Sequence, residues 1–404
     1  MDAGMDAAHR GSREGFEARR GASQYDLLLT GGRVIDPASG RDGRFDVAFS
    51  GGKVAAIEPS IAPAGAERVV DIRDAVVVPG LIDAHTHVCK GIGDCISPDV
   101  AGVGRGITTV ADGGTLGVSN FGVFGPLMAN TRTRVLAWLN ISAIGQTDNQ
   151  LGECLALPLM RVDEAVEVAK ANPDVVVGFK ARLSTYASGG ADLTVLELLL
   201  QAGEAAGLPV MIHVGDTQHT LGEILDRMRP GDWVSHFLTP RRFGILGINY
   251  IPGAKLIPQA SAAASRGVIM DVARGRNHVG FPQLQAWLDA GFRPTCISSD
   301  VTTPGSADPE VSVLRLASAL MSFGLRLEDV VPMMTLNPAV GIGKERLGLG
   351  RLEPGGLGDA TLLKVAGGEY TFRDVNGLAR TGDKLVQSTG VVLGGVYTAL
   401  PPVS

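Results

Sequence analysis

The sequence predicts an α/β protein whose main part is a (β/α)8 TIM barrel, preceded by a small β unit. The first observation is that short apolar runs broken by turn signals fill the region from Tyr25 to about residue 78. The second is that beyond Pro79 short apolar strands alternate with helical stretches, a pattern typical of a parallel sheet. The chain of 404 residues is also long enough for one large domain and a smaller one.

The N-terminal part of the chain divides into a leader and the β unit. Residues 1–24 are polar, charged and glycine-rich and lack the apolar stretch of a secretion signal, so they are predicted to form a flexible leader. Strand-like runs follow, and Gly31-Gly32 and Gly51-Gly52 between them are predicted to be hairpin turns. We therefore expect antiparallel hairpins in the β unit.

Eight strand–helix repeats are predicted after the β unit. The helical stretches include VDEAVEVAKAN, ADLTVLELLLQAGEAAG and FPQLQAWLDAG. The candidate strands are VVVPGLIDAH, GITTVADGG, RVLAWLNIS, VVVGFKAR, LPVMIHVG, WVSHFL, GVIMDVA and PTCISSD. Active sites of such barrels lie at the C-terminal ends of the strands. Polar residues at those ends are therefore candidates for function.

Composition excludes several classes of partner. The formal net charge is −6 and Lys and Arg are not clustered, so binding to nucleic acid or to an anionic membrane surface is not expected. The expected partner is a small-molecule substrate. No apolar run reaches the ~18 residues of a membrane span. The cysteines show no CxxC spacing, so we expect neither disulfides nor a cysteine zinc site and predict a reducing cytoplasm. They are Cys89, Cys95, Cys154 and Cys296.

Two histidines one residue apart close the first predicted barrel strand. His85 and His87 would point to the same face, because side chains at i and i+2 of a strand do so. Such a pair alone is often only a surface or core pair. Here the fourth, fifth, sixth and eighth predicted strands also end in polar residues, which the barrel would bring to the same rim. These residues are Lys180, His213, His236 and Asp300.

The six residues fit a metal centre. Imidazoles suit zinc and similar divalent ions, and a carboxylate can complete the coordination sphere. Lys180 ends an apolar strand with no adjacent acid, so its pKa should be lowered by burial. Reaction of the neutral amine with carbon dioxide would give a carbamate that bridges two ions. We predict two divalent metal ions, zinc first, with manganese, cobalt or iron as alternatives.

The chain resembles the amidohydrolase superfamily in its binuclear form with a carboxylated lysine. The resemblance covers residues 25–398 and depends on the order of several motifs. These are LLLTGGRVIDP, VVVPGLIDAHTH, FKAR, MIHVGD, WVSHF, ISSD and TLNPAVGIGKERLGLGRLEPGGLGDATLL. It implies that residues 25–78 plus 352–398, from both ends of the chain, form a β-sandwich domain and that residues 79–351 form the hydrolase barrel.

Within the superfamily, GFKARLSTYASGG and DAHTHVCKGIGD most resemble deacetylase-like metallohydrolases related to dihydroorotase. This resemblance implies that one metal is held by His85, His87, Lys180 and Asp300, and a second by Lys180, His213 and His236. Arg182, two residues beyond Lys180, would face the same way and hold a substrate carboxylate, or else make an ion pair beside the site. Further candidate substrate contacts are Tyr186, Arg274 and His278.

The expected reaction is hydrolysis of an amide or ester bond in a small carboxylate-bearing N-acyl or O-acyl compound. A hydroxide bridging the metals would attack, and Asp300 would act first as general base and then as general acid. Hydrolysis of a cyclic amide, as in dihydroorotases and hydantoinases, and a non-catalytic scaffold are the alternatives. Homo-oligomers are common in the superfamily, so a homo-oligomer is possible here.

Overall fold

A computed structural model describes residues 23–148, 150–247 and 254–404. Residues 1–22 of the predicted leader lie outside the described residues. The strands are β1 (Tyr25–Thr30), β2 (Arg33–Asp36), β3 (Arg41–Arg44), β4 (Asp46–Ser50), β5 (Lys53–Glu58), β6 (Ala66–Asp71), β7 (Val76–Pro79), β8 (Leu81–Thr86), β9 (Ile107–Gly113), β10 (Arg134–Asn140), β11 (Val176–Leu183), β12 (Val210–Val214), β13 (Trp233–Ser235), β14 (Ile269–Asp271), β15 (Ala360–Arg373), β16 (Ala379–Leu393) and β17 (Val396–Val403).

The three predicted helices that the sequence analysis quoted are present. They span Val162–Ala171, Asp192–Ala206 and Phe281–Asp289. The other α-helices are Pro98–Ala101, Phe124–Met128, Thr185–Ser188, Leu221–Leu225, Pro258–Arg266, Val313–Ser322, Leu327–Val330 and Leu336–Gly341. No helix in the described part of the chain combines the length and the apolar character needed to cross a membrane.

Both ends of the chain contribute to two sheets that share an apolar core. One sheet has the strand order β5-β4-β1-β6 and the other β17-β16-β15-β7-β2-β3. The two ends meet where β15 pairs antiparallel with β7. Buried side chains such as Leu29, Phe49, Val77 and Leu362 from both sheets pack in one cluster. The last strand runs to Val403, slightly beyond the predicted end at residue 398, and the predicted domain limits stay predictions.

One of the two predicted hairpins is confirmed and the other is wrong. Gly51 and Gly52 join β4 to β5, with φ angles of 56° and 77°, as a tight hairpin turn requires. The Gly31-Gly32 pair instead carries the chain from one sheet to the other. The reason is that β1 already pairs with β4 on one edge and β6 on the other, so β2 must find its partners elsewhere.

Strands β8 to β14 form one parallel sheet in which sequence neighbours are spatial neighbours. All seven strands therefore end at the same edge of the sheet. The predicted first strand is divided by Gly80: β7 belongs to the six-stranded sheet and β8 opens the parallel one. A Cβ at Gly80 would lie 2.3 Å from Thr108 Oγ1 of β9 and 3.0 Å from Asp359 Cβ, so there is no room for a side chain where the chain passes between the two sheets.

The predicted eighth strand, residues 294–300, is not a regular strand, which corrects the sequence prediction. It makes isolated parallel bridges to both edges of the sheet, Asp271 to Cys296 and Thr86 to Val301. Backbone hydrogen bonds join it to both sides, such as Val272 N–H to the Cys296 carbonyl and Asp300 N–H to the His85 carbonyl, and side chains supply further bonds. The Ser299 amide donates to Asp83 Oδ1 over 3.0 Å, and the Val301 amide donates to Ser299 Oγ over 3.1 Å.

Candidate metal centre and active site

The six predicted metal ligands come together at the C-terminal edge of the parallel sheet. Five of them line a cavity of about 260 Å³, and His236 lies buried directly after β13. The five are His85, His87, Lys180, His213 and Asp300. A larger groove of about 800 Å³ near Pro209 lies at the opposite edge and has no histidine in its described lining.

Asp300 stands in the middle of the imidazoles. Its Oδ1 lies 3.4 Å from His87 Nε2 and 3.6 Å from His85 Nε2, and its Oδ2 lies 3.7 Å from His236 Nε2. The rings of His213 and His236 are 4.3 Å apart between centroids. Nitrogen and oxygen donors thus converge in the way that a divalent ion requires.

The histidine rings are oriented so that Nε2 is available as a ligand. The Nδ1 atoms have protein partners: Ser235 Oγ at 3.2 Å from His85, Thr115 Oγ1 at 2.9 Å from His87, and the Ala273 carbonyl oxygen at 2.7 Å from His236. The buried Nε2 atoms of His213 and His236 have no hydrogen-bond partner among the described residues. Buried imidazole nitrogens without partners fit a metal position.

The described residues contain three groups of donors, each with ligand atoms within 4.8 Å of one another. Two of them contain the predicted ligands: one comprises His85, His87 and Asp300, and the other His213, His236 and His278. The third, His87 with Cys95 and Asp112, shares His87 with the first. Lys180 Nζ lies 3.0 Å from His85 Nε2. The residues present therefore fit divalent ions. His278 joins the second group although it was expected only as a substrate contact, and the sharing of Lys180 between two ions stays a prediction.

Lys180 lies in an environment that disfavours its charge. Its side chain is buried, and Nζ contacts Met211 Sδ at 3.3 Å. Burial is the main cause that lowers the Lys180 pKa to about 7 from the ordinary value of 10.5. Burial therefore favours the neutral amine, the form that reacts with carbon dioxide.

Backbone strain is concentrated at the strand ends that carry the ligands. Positive φ angles, which residues other than glycine rarely adopt, occur at His236 (67°), Ala273 (42°) and Asp300 (50°). The Asp300 amide is anchored by donating to the His85 carbonyl over 2.8 Å. His236 and Asp300 are themselves predicted metal ligands.

Arg182 lines the cavity, but much of its guanidinium is engaged elsewhere. Its Nε donates to Glu153 Oε1 over 2.7 Å and its Nη2 donates to Glu153 Oε2, and both side chains are buried. Its Nη1 lies 3.3 Å from the hydroxyl of Tyr186, which is half-exposed at the cavity. The ion pair that was the alternative for Arg182 is therefore present, and contact of Arg182 with substrate stays a prediction.

Arg274 and His278 occupy different positions from each other. His278 lines the cavity, with its ring centroid 3.9 Å from that of His236. Arg274 donates instead to the carbonyl oxygens of Gly275 and Arg373, and it is not among the described residues that line the cavity. Its guanidinium is thus held by backbone groups, and the structure gives no support to a substrate contact at Arg274.

Several lining residues were missed by the sequence analysis. The missed residues are Asp94, Gln146, Arg276, Asn277, Thr302 and Pro304. They lie in loops, where no periodicity marks which side chains face the cavity.

We expect Glu153→Ala to lower the free energy of unfolding by about 3–5 kcal/mol, because it leaves the Arg182 guanidinium buried without its carboxylate. Denaturant unfolding followed by circular dichroism measures this. The matched control is Glu164→Ala, which removes an exposed pair with Arg161 and should cost under about 1 kcal/mol. Equal losses in the two variants would contradict a structural role for the buried pair.

Comparison with known proteins agrees with this geometry. The sequence model of the amidohydrolase family matches residues 76–393. A deacetylase of Agrobacterium fabrum is 29% identical over 378 residues, which cover 92% of this chain and 91% of the relative. A crystal structure of an adenine deaminase superposes with a TM-score of 0.85 at 27% identity, covering 93% of this chain and 100% of the other.

A crystal structure of a dihydroorotase is also similar, with a TM-score of 0.82 at 26% identity and coverage of 93% of this chain and 100% of the other. The family is generally metal-dependent, which agrees with the two donor groups. Because the family model matches well over half of the chain, the protein belongs to the amidohydrolase family, as a deacetylase-like hydrolase acting on carbon–nitrogen bonds.

Proposed function

We propose that this protein is a binuclear metal-dependent hydrolase that cleaves an amide or ester bond of a small carboxylate-bearing N-acyl or O-acyl compound. The observation that supports this most strongly is the convergence of four imidazoles, Asp300 and Lys180 at one cavity. The similarity to a deacetylase over nearly the whole chain favours an acyl group as the part removed.

We also propose the finer architecture that the reaction needs. Segment 294–301 takes the place of the eighth strand and closes the parallel sheet into a (β/α)8 barrel. Its bridges to β14 and β8 support this closure. The two sheets with a shared core would form the β-sandwich domain of residues 25–78 and 352–398.

The ligands would be divided between two ions. His85, His87 and Asp300 would hold one, His213 and His236 the other, and carboxylated Lys180 would be shared. Nitrogen and oxygen donors without a cysteine thiolate suit zinc, with manganese, cobalt or iron as alternatives. When bound, the ions supply a hydroxide near neutral pH, by lowering the pKa of a shared water, and polarise the scissile carbonyl.

The chain's own residues would manage the proton. Asp300 lies within 3.4–3.7 Å of three imidazoles, and its side chain keeps 14% exposure towards the cavity. It would accept the proton of the attacking water and deliver it to the leaving nitrogen or oxygen. His278, beside His236, would contact the substrate near the scissile bond.

The substrate carboxylate would be held by Arg276. Glu153 already occupies the Nε and Nη2 atoms of Arg182. Arg276 lines the cavity, is exposed, and forms no ion pair with any described residue. A guanidinium without an acidic partner at the cavity mouth can bind a carboxylate through two hydrogen bonds.

We expect Arg276→Gln to raise KM for carboxylate-bearing substrates by about 10-fold or more with little change in kcat, because a hydrogen bond to a charged group contributes about 1.5–3 kcal/mol. Steady-state kinetics measure this, with the methyl ester of the same acid as a neutral reference. Arg346→Gln, at an arginine exposed by 93% of its side-chain surface, is the control. An equal change of KM for the acid and its methyl ester would contradict carboxylate recognition by Arg276.

The proposed function is tested by offering zinc- or manganese-loaded enzyme two sets of compounds, with the products detected by chromatography. One set contains N-acyl amino acids and O-acyl hydroxy acids, and the other dihydroorotate, hydantoins and lactams. Turnover of the acyclic set alone would support the proposal. Turnover of cyclic compounds alone would favour the second candidate function, a cyclic amidohydrolase. The similarity to a dihydroorotase structure supports that candidate.

A cytoplasmic location, a small-molecule substrate as the main partner and a homo-oligomeric state stay predictions. The four cysteines are free and buried.

A further inference from the structure

His85 is connected to a buried carboxylate through a hydroxyl group. Its Nδ1 lies 3.2 Å from Ser235 Oγ. The Ser235 hydroxyl donates in turn to Asp271 Oδ2 over 2.8 Å. Ser235 and Asp271 are both completely buried, so water does not compete for these groups.

His87 has the same arrangement, built from different strands. Its Nδ1 lies 2.9 Å from Thr115 Oγ1, and the Thr115 hydroxyl donates to Asp112 Oδ2 over 3.0 Å. Thr115 Oγ1 also lies 3.3 Å from Cys95 Sγ. The Thr115 hydroxyl uses its only proton in the hydrogen bond to Asp112. Its oxygen keeps two lone pairs, which can accept hydrogen bonds from His87 Nδ1–H and the Cys95 thiol.

We propose that Ser235 and Thr115 are positioning residues that fix His85 and His87 in the tautomer with the proton on Nδ1. The inference rests on the proposed metal centre and explains how its two adjacent histidines present bare Nε2 atoms.

The direction of each chain of hydrogen bonds follows from counting protons. An ionised carboxylate can only accept hydrogen bonds, so the hydroxyl group must donate its one proton to the hydrogen bond with the carboxylate. The hydroxyl oxygen can then only accept from the ring, which requires Nδ1–H and leaves a lone pair on Nε2.

Asp300 favours the opposite tautomer, with the proton on Nε2, so other groups are needed to keep the proton on Nδ1. Asp300 Oδ1 lies 3.4 Å from His87 Nε2 and 3.6 Å from His85 Nε2, and this carboxylate would favour protons on those atoms. A proton on Nε2 would block metal binding. The hydroxyl groups of Ser235 and Thr115 counteract this effect of Asp300, because they stabilise the proton on Nδ1 at the other side of each ring.

The first test is the tautomeric state of the histidines in metal-free full-length protein. Long-range ¹H–¹⁵N correlation spectra of ¹⁵N-histidine-labelled protein report which ring nitrogen carries the proton, and His→Gln variants assign the signals. We expect Nδ1–H for His85 and His87. His236, whose Nδ1 faces the Ala273 carbonyl, is an internal reference that neither hydroxyl affects.

The second test is zinc affinity, measured by competition with a chromophoric chelator. Thr115→Val keeps the side-chain shape but removes the hydroxyl, and we expect about 10- to 100-fold weaker zinc binding, as for other outer-shell partners of metal ligands. Thr115→Ser keeps the hydroxyl and should bind zinc as the natural protein does. Ser235→Ala tests the His85 chain independently.

An Nε2–H signal for His87 in the natural protein would overturn the proposal, and so would unchanged zinc affinity in a folded Thr115→Val variant. The spectrum of the natural protein decides even if a variant fails to fold. Neither readout involves turnover. Failure of the proposed reaction is therefore distinguishable from failure of the tautomer proposal.

Discussion

Asp300→Asn should lower kcat by about 10²- to 10⁴-fold, the range of general acid–base catalysis, while the protein stays folded. The amide cannot accept a proton from the attacking water, yet its shape is nearly that of the carboxylate. His85, His87 and Lys180 remain to hold the adjacent ion, so most of the metal should be retained. Steady-state kinetics, metal analysis by plasma mass spectrometry and thermal unfolding measure the three quantities.

The matched control for this change is Asp74→Asn, at an exposed aspartate of the β unit. It should leave rate, metal content and unfolding temperature unchanged. An Asp300→Asn enzyme that is fully loaded with metal and turns over at the natural rate would refute the role of Asp300 as proton acceptor. If activity falls only in proportion to the loss of metal, Asp300 acts as a metal ligand and not as the proton acceptor.

Lys180→Ala should remove metal and activity together. Without the carbamate, two cations would stand close to each other with no anion between them, and their repulsion would disfavour occupancy of both positions. The loss should therefore exceed the about 10- to 100-fold effect of removing an outer-shell partner. Metal content and kcat/KM are measured on the same samples, with Lys53→Ala, at an exposed lysine, as control.

Short carboxylates give the sharper version of this experiment. Formate, acetate or propionate added with metal to the Lys180→Ala variant should restore part of the activity, since each can occupy the space of the carbamate group. In the natural protein, ¹³C-labelled bicarbonate should give a carbamate signal that the variant lacks. Normal metal content in the variant would show that Lys180 is not a bridging ligand.

The buried Arg182–Glu153 pair shows where local pattern stops being informative. The position of Arg182, one strand step beyond Lys180, correctly predicts that it reaches the cavity. The partner lies in a loop after another strand, and nothing in the spacing of the chain connects the two. The guanidinium that was expected to meet substrate is instead largely engaged by Glu153, and the substrate-binding role passes in our proposal to Arg276.

The sequence by itself determined the parallel sheet and the gathering of the ligands. Strand periodicity places His85 and His87 on one side, and parallel strands end at a common edge, so Lys180, His213 and Asp300 had to meet them there. These consequences need only local patterns and their order along the chain.

Tertiary structure alone decided the rest. Segment 294–300 is held by an irregular mixture of backbone bonds and side-chain bonds such as that to Asp83. Strand β2 left the first sheet because both edges of β1 were occupied. The hydroxyls of Thr115 and Ser235 likewise reach their histidines from other strands or the loops after them. Such contacts depend on how distant segments fit together in three dimensions, which no local periodicity specifies.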